Sequence, residues 1–130
     1  MTKKIKILVV EDEKMLLKTI HFRLEKEGYN VITADNGKEA IDIIPKELPD
    51  LIISDVMMPY LNGLELVKHV NNFTEKKIPV ILLTTLRQEQ NVMKAFELGA
   101  EEFMTKPFIT SELVVRVRRV IARTGIEKVI

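Results

Sequence analysis

The feature that most constrains the fold of this chain is a set of five short segments with strand-like composition. They span residues 5–10, 29–34, 50–54, 78–83 and 101–105. The segment at 5–10 is rich in branched aliphatic residues and carries little polarity. Such a run is typical of a strand that is buried on both faces, as strands of a parallel sheet are.

Segments with helical spacing separate these predicted strands. They span residues 13–27, 38–44, 64–70, 87–98 and 111–123. In the first of them, Leu17, Ile20 and Leu24 share one stripe, and Gly28 is placed to cap the C-terminus. Each connection is long enough for a right-handed crossover between parallel strands, so the chain is predicted to be an α/β domain of alternating strands and helices.

Local signals predict where the second helix begins and ends. Asn36 can cap its N-terminus with a side-chain oxygen. Pro45 and Pro49 are predicted to close the helix at residue 44 and to lead into the third strand.

Composition limits the class of protein. With 130 residues, 46% of them hydrophobic, the chain is long enough for one domain with a sizeable core. The 20 basic and 19 acidic residues nearly balance, which disfavours direct binding to nucleic acid or to an anionic membrane. The chain contains no cysteine and no apolar segment of signal-peptide or membrane-spanning length, so we expect a soluble cytoplasmic domain.

Polar side chains suited to phosphate chemistry follow four of the predicted strands. They are Glu11 and Asp12, Asp55, Thr84 and Lys106. Each has an ordinary explanation by itself, because acids favour helix N-termini and aspartates form loop turns. Ligands of open parallel sheets bind beyond the carboxyl ends of the strands, where these side chains would meet. Together the acids, the hydroxyl and the ammonium suit a divalent metal and a phosphoryl group.

The order of these motifs resembles that of the receiver domains of two-component response regulators. The similarity covers most of the chain, from residue 4 to about residue 123. The matching motifs are Glu11-Asp12, Asp55, Met58-Pro59 with Asn62-Gly63, Thr84, and Lys106-Pro107-Phe108. The resemblance implies a flavodoxin-like (βα)5 fold with a five-stranded parallel sheet of order 2-1-3-4-5. It also implies a receiver domain at residues 1–124, followed by a tail or the start of a linker at 125–130.

The resemblance further implies a reaction and a cofactor. Asp55 would accept a phosphoryl group from the phosphohistidine of a sensor histidine kinase or histidine phosphotransfer protein. Mg²⁺ would be bound by Asp12, Asp55 and the Met57 carbonyl, with Glu11 holding the metal's waters. Lys106 and the Thr84 hydroxyl would bind phosphoryl oxygens. The chain would be a signalling domain that promotes its own phosphorylation and dephosphorylation, rather than an enzyme with a separate substrate.

A switch is implied at the position three residues before the lysine. On phosphorylation Thr84 would move toward the phosphoryl group and Phe103 would rotate into the space it leaves. A static core phenylalanine is the alternative.

Met57 and Leu86 lie two residues beyond Asp55 and Thr84, and apolar side chains there predict a long-lived phosphoryl group.

Two surfaces are candidates for protein contacts. Met15 and Phe22, seven residues apart on the first helix, share a face that would contact the kinase. A homodimer through the fourth helix, fifth strand and fifth helix would use charged pairs, although Val92 stands where that subfamily has a basic residue. The charged residues that fit this pattern are Glu101, Glu102, Glu112, Arg116 and Arg118.

Other functions of similar folds fit the sequence less well. A haloacid dehalogenase-type phosphatase needs an aspartate at position 57, which is Met57 here. A flavin carrier would want a hydroxyl- and glycine-rich phosphate loop where Glu11 and Asp12 stand, and no nucleotide-binding Gly-Lys-Ser/Thr motif occurs. The remaining alternative is a receiver-fold binding module that acts independently of phosphorylation.

Overall fold

Five parallel strands form the centre of the molecule. The computed structural model describes residues 4–56, 61–73, 77–84, 93, 96, 97 and 99–126. The strands are β1 (Lys6–Val10), β2 (Asn30–Ala34), β3 (Leu51–Asp55), β4 (Val80–Thr84) and β5 (Glu102–Thr105). Their spatial order is β2-β1-β3-β4-β5, and all four neighbouring pairs are parallel. The predicted flavodoxin-like α/β fold is therefore confirmed.

Helices cover both faces of this sheet, because side chains alternate along each buried strand. The described helices are α1 (Lys14–Lys26), α2 (Gly37–Glu47), α3 (Gly63–Phe73) and α4 (Thr110–Thr124). On β1, Ile7 and Val9 pack into the cluster that contains buried residues of α1 and α4. Leu8 and Val10 face the opposite cluster, with α2 and α3. Both faces of the central strands are thus apolar, as the sequence predicted.

Register brings the carboxyl ends of the strands to one edge. Val10 of β1 lies opposite Ser54 of β3, and Asp55 lies opposite Leu83 of β4. Thr84, the next residue of β4, lies opposite Thr105 of β5. The polar residues at or directly after the carboxyl ends of β1, β3, β4 and β5 therefore lie at the same edge of the sheet.

The second helix corrects one prediction. Asn36 does cap it, since Asn36 Oδ1 accepts a hydrogen bond from the Glu39 N–H at 2.8 Å. The helix does not close at residue 44, however, but runs through Pro45 to Glu47. Proline removes its own N–H donor and crowds the carbonyl four residues earlier. The turn that follows Pro45 nevertheless forms, as the 2.9 Å bond from Leu48 N to Ile44 O shows.

The predicted helix at 87–98 falls mostly outside the described residues. Of this segment the structure describes Met93, Phe96 and Glu97, which are helical and exposed. Among the described residues, no helix combines the length and apolar character that a membrane crossing requires.

Candidate functional site

Glu11 is a fully buried carboxylate at the carboxyl end of β1. Its N–H donates to the Ala34 carbonyl of β2 at 3.0 Å, which continues the β1–β2 pairing by one residue. Its side chain has 0% exposure. One carboxylate oxygen, Oε2, accepts from the Glu13 N–H at 3.0 Å, at the start of α1. Two hydrogen bonds to backbone groups, one from the Glu11 N–H and one to its carboxylate, therefore fix the position of this side chain.

Lys106 joins Glu11 to Asp55, the last residue of β3. Its Nζ lies 2.6 Å from Glu11 Oε1 and 3.0 Å from Asp55 Oδ2. The lysine side chain is 11% exposed, and Asp55 is 6% exposed. Charge-assisted hydrogen bonds of this kind, shielded from water, are stronger than surface ion pairs. Residues 95 and 51 positions apart in sequence thus meet in one cluster.

Burial and hydrogen bonding together shift the pKa values of Glu11 and Lys106. Burial raises the pKa of the Glu11 carboxyl above its usual value, against the hydrogen bond from Lys106, which lowers it. For Lys106, burial alone would lower the pKa, but hydrogen bonds to Glu11 and Asp55 outweigh it and the pKa is raised. The lysine is therefore a firmly held ammonium between two carboxyl groups.

The acidic residues of the cluster can hold a divalent cation. Oxygens of Glu11, Asp12 and Asp55 lie within 4.8 Å of one another. Both Glu11 oxygens already accept hydrogen bonds, from Lys106 and Glu13, whereas Asp12 is exposed. Carboxylate oxygens with access to water are the donors that Mg²⁺ prefers. The donor set therefore fits this ion, with the exposed Asp12 better placed as a direct ligand than the fully buried Glu11.

Thr84 lies at the same edge, at the end of β4. It is fully buried, and its carbonyl accepts from the Lys106 N–H at 2.7 Å. The following peptide bond, between Lys106 and Pro107, is cis. The backbone of Lys106 is thus fixed to β4, and its side chain extends to the acids after β1 and β3.

The start of α3 lies close to the end of β3. The Gly63 N–H donates to the Val56 carbonyl at 2.9 Å. A Cβ at Gly63 would lie 2.5 Å from the carbonyl oxygen of Asp55, so only glycine allows this approach. Asn62 caps α3 by accepting from the Glu65 N–H at 2.8 Å. The predicted metal ligand Met57, and Leu86 of the predicted phosphoryl lifetime, lie outside the described residues.

Phe103 lies on β5 opposite Leu82 of β4. It is half-buried and packs against the apolar cluster on the α2 and α3 face of the sheet. The ring is thus neither fully enclosed nor free in solvent. Its predicted coupling to Thr84 concerns two states and stays a prediction.

The candidate contact surfaces differ in how their residues are used. Met15 and Phe22 on α1 are 71% and 72% exposed, so the predicted apolar face of α1 does point to solvent. The charges near the predicted dimer surface instead pair within the chain. These pairs are Arg116 with Glu102 and Glu112, Arg123 with Glu101 and Glu102, and Arg118 with Glu27.

Comparison with known proteins identifies the family. The model of the response regulator receiver domain matches residues 7–118. The chain belongs to this family. As a receiver domain of two-component response regulators it is a signalling domain, and the cluster of Glu11, Asp12 and Asp55 fits a phospho-accepting site.

Relatives and solved structures agree with this assignment. The alkaline phosphatase synthesis transcriptional regulatory protein PhoP of Bacillus subtilis is 40% identical over 121 residues, which are 93% of this chain and 50% of PhoP. The non-phosphorylated HemR receiver domain of Leptospira biflexa shares 37% identity with a TM-score of 0.85, over 92% of this chain and 95% of that chain. A receiver domain protein of Clostridium thermocellum shares 32% identity with a TM-score of 0.86, over 93% and 97%. This receiver chain thus spans about half the length of PhoP.

Sequence reasoning found the charged residues of the site but missed two of its contacts. It assigned Glu11 to the metal's waters and did not foresee that Lys106 would bind it. It also assigned no role to Gly37, whereas the backbone of Leu61 lies against this residue. A glycine that directly follows a capping asparagine, where a better helix former would do, was the available signal.

Proposed function

We propose that this receiver domain accepts a phosphoryl group on Asp55 in an Mg²⁺-dependent transfer from a phosphohistidine. The donor would be a sensor histidine kinase or a histidine phosphotransfer protein, in the cytoplasm. One observation carries the proposal: the Lys106 ammonium lies within hydrogen-bond distance of the Asp55 carboxylate, in a buried cluster with Glu11. We take the receiver domain to be residues 1–124, with residues 125–130 as a tail or linker.

Asp55 is the nucleophile in this proposal. One of its carboxylate oxygens attacks the phosphorus atom, the phosphorus–nitrogen bond to the imidazole breaks, and the imidazole leaves with the bonding electron pair. An acyl phosphate then links Asp55 to the phosphoryl group. Little covalent work is required of the protein beyond this attack, because positioning and charge neutralisation supply most of the catalysis of phosphoryl transfer.

Besides Asp55, four side chains would neutralise or orient the phosphoryl oxygens or the metal. Lys106 would shift from Glu11 and Asp55 toward a phosphoryl oxygen, which its flexible stem allows. The Thr84 hydroxyl would donate to a second oxygen. Asp12 would bind Mg²⁺ together with Asp55 and the Met57 carbonyl, and the ion would offset negative charge as the transfer proceeds. Glu11 would orient the metal's waters, and it binds Lys106 when no phosphoryl group is present.

The output of the reaction would be a change in a protein-binding surface. A phosphoryl group adds about −1.5 to −2 charge at neutral pH, and its oxygens attract the Thr84 hydroxyl. Phe103, which is only partly buried, would then rotate inward as Thr84 moves. Two structures, without and with beryllofluoride, would test this switch, and identical Phe103 rotamers in both would count against it.

Acetyl phosphate provides the direct test of the phosphoacceptor. With Mg²⁺, the wild-type domain should gain the mass of one phosphoryl group, and Asp55→Asn should gain none. Asp42→Asn is the matched control, since Asp42 is an exposed aspartate on α2, away from the cluster. Equal labelling of wild type and Asp55→Asn would refute the proposal, and so would a wild-type domain that takes up no phosphoryl group.

A partner-binding assay with the same variants tests the alternative, a binding module that acts without phosphorylation. Such a module would contact its partner equally well as wild type and as Asp55→Asn, with or without acetyl phosphate. The buried Lys106 cluster favours phosphoryl chemistry instead, because a binding surface has no need of buried charges.

Partner surfaces follow from the same proposal. The exposed Met15 and Phe22 of α1 would contact the kinase. A homodimer through the predicted fourth helix, β5 and α4 would require Arg116 and Arg118 to exchange intrachain for interchain partners.

Apolar Met57 and Leu86 would slow hydrolysis of the acyl phosphate. An acyl phosphate lifetime of only seconds would contradict this role of the two residues.

A further inference from the structure

The first residue of α2 contacts the segment that precedes α3. A Cβ built on Gly37 would lie 2.6 Å from the Cβ of Leu61 and closer still to the Leu61 carbonyl oxygen. Real Cβ atoms essentially never approach other heavy atoms to less than 3.0 Å. The nearer of these two neighbours is backbone, which cannot move aside as the end of a flexible side chain can. Any side chain at position 37 would therefore push the Leu61 backbone away from α2.

The backbone conformation of Gly37 does not explain why glycine stands there. The glycines with positive φ are Gly28, Gly99 and Gly125, and Gly37 is not among them. Glycine is also a poor helix former, so alanine would favour α2 if nothing lay beside it. Asn36, which caps α2, fixes the position of the next residue through its 2.8 Å bond to Glu39 N. The close approach of Leu61 is thus the local reason for a glycine.

Leu61 is linked to the phosphoacceptor through its two successors. Asn62 caps α3. Gly63 donates to the Val56 carbonyl at 2.9 Å and passes against the Asp55 carbonyl, where it has no room for a Cβ. A displacement of Leu61 would therefore be passed to the carboxyl end of β3. This end carries the Asp55 side chain that Lys106 binds at 3.0 Å.

We propose that Gly37 is a positioning residue for the phosphorylation of Asp55. Its bare backbone lets residues 61–63 lie between the start of α2 and the end of β3, and so sets where the Asp55 carboxylate stands relative to Lys106. The inference rests on the proposed function of Asp55. It adds that α2, which contributes no side chain to the charged cluster, holds the acceptor in place by backbone contact.

Gly37→Ala tests this inference. The variant should be phosphorylated by acetyl phosphate and Mg²⁺ about tenfold to a hundredfold more slowly than wild type, since a displacement near 1 Å costs that much in positioned reactions. The Gly63 amide should exchange its hydrogen faster, because its bond to Val56 is strained. Gly28→Ala is the matched control, since it has positive φ and no atom within 4 Å of the added Cβ. It should lose stability but keep the wild-type phosphorylation rate and Gly63 exchange.

A second substitution locates the effect at Leu61. Gly37→Ala combined with Leu61→Gly removes one of the two clashing atoms and lets the peptide at 61 turn, so it should recover part of the lost rate. If Gly37→Ala alone does not fold, the double variant should fold. The inference is wrong if a folded Gly37→Ala keeps the wild-type rate or slow Gly63 exchange, or if the double variant recovers neither folding nor rate. A wild-type domain that is not phosphorylated would instead refute the proposed function.

Discussion

Lys106 is the residue on which the electrostatics of the site depend. It is the described cation that contacts both Glu11 and Asp55, and the side chains of these acids are 0% and 9% exposed. Two carboxylates so close together repel each other, and burial denies them much of the water that would otherwise screen the repulsion. The lysine therefore stabilises the fold of the domain in the absence of a metal ion.

Lys106→Met should lower both stability and reactivity. Removing one partner of a buried ion pair leaves uncompensated charge, so we expect the free energy of unfolding to fall by about 2–4 kcal/mol without metal. Added Mg²⁺ should restore more stability to this variant than to wild type, because the ion would replace the missing positive charge. Urea unfolding with and without Mg²⁺ measures both effects.

Lys6→Met is the matched control for that prediction. Its ion pair with Glu47 has a similar length, 3.2 Å, but its side chains are 30% and 46% exposed. Such a pair contributes at most about 1 kcal/mol. Equal losses of stability in the two variants would show that the Lys106 cluster is no more important than a surface ion pair.

At the scale of elements, two helix caps fix the chain before and after Asp55 in the sequence. α2 is capped by Asn36 and α3 by Asn62, and both caps accept from a backbone N–H at 2.8 Å. α1 has no side-chain cap, although Glu13 stands at that position. The capped helices are the ones whose N-termini contact the segment around Leu61, so a loss of capping there should reach the site.

Asn36→Ala should cost about 1 kcal/mol of stability, because the Glu39 N–H loses its acceptor. The change should also slow phosphorylation of Asp55 modestly if α2 positions residues 61–63. Thermal unfolding and acetyl phosphate labelling measure the two effects. Glu13→Ala is the control, since no side-chain cap is lost there, and a comparable loss of stability in that variant would argue against the capping explanation.

At the scale of the whole molecule, a second group of polar contacts surrounds Tyr29, in addition to the cluster of Glu11, Asp55 and Lys106. Tyr29 lies just before β2 and is 5% exposed, next to Arg118 of α4 and Glu27 after α1. Arg118 Nη2 donates to Glu27 Oε1 at 2.6 Å, and Arg23 Nε donates to Glu27 Oε2 at 3.2 Å. These contacts connect α1, the start of β2 and α4.

Burial raises the pKa of the Tyr29 hydroxyl above its usual value of 10.0, against the charge of Arg118, which lowers it. The folded state therefore keeps this proton longer than the unfolded state. The stability that the protonated Tyr29 hydroxyl contributes is present below its pKa in the unfolded state. This stability is lost as pH rises from there through its pKa in the folded state. Between about pH 8 and pH 11, wild type should thus lose more stability than Tyr29→Phe, as measured by urea unfolding. Parallel losses in the two proteins would contradict the assignment.

Much of the fold followed from local patterns. Strand composition placed all five strands to within two residues, and the Asn36 cap and Gly28 terminus were correct because both depend on neighbours in sequence. The order of the strands came from family resemblance rather than from periodicity. The end of α2 was predicted at residue 44 but lies at Glu47, because the helical turn after Pro45 still forms. A rule that considers the proline alone does not predict this turn.

The sequence by itself determined which chemistry the domain could carry, since acids, a hydroxyl and a lysine follow the strands whose carboxyl ends share an edge. Only the tertiary structure decided how they are paired. Lys106 binds Glu11 as well as Asp55, across 95 and 51 positions, and Gly37 meets the backbone of Leu61. Such contacts depend on helix placement and strand register to within about an ångström. Spacing in the sequence sets the direction of a side chain, but it does not set the distance between two elements.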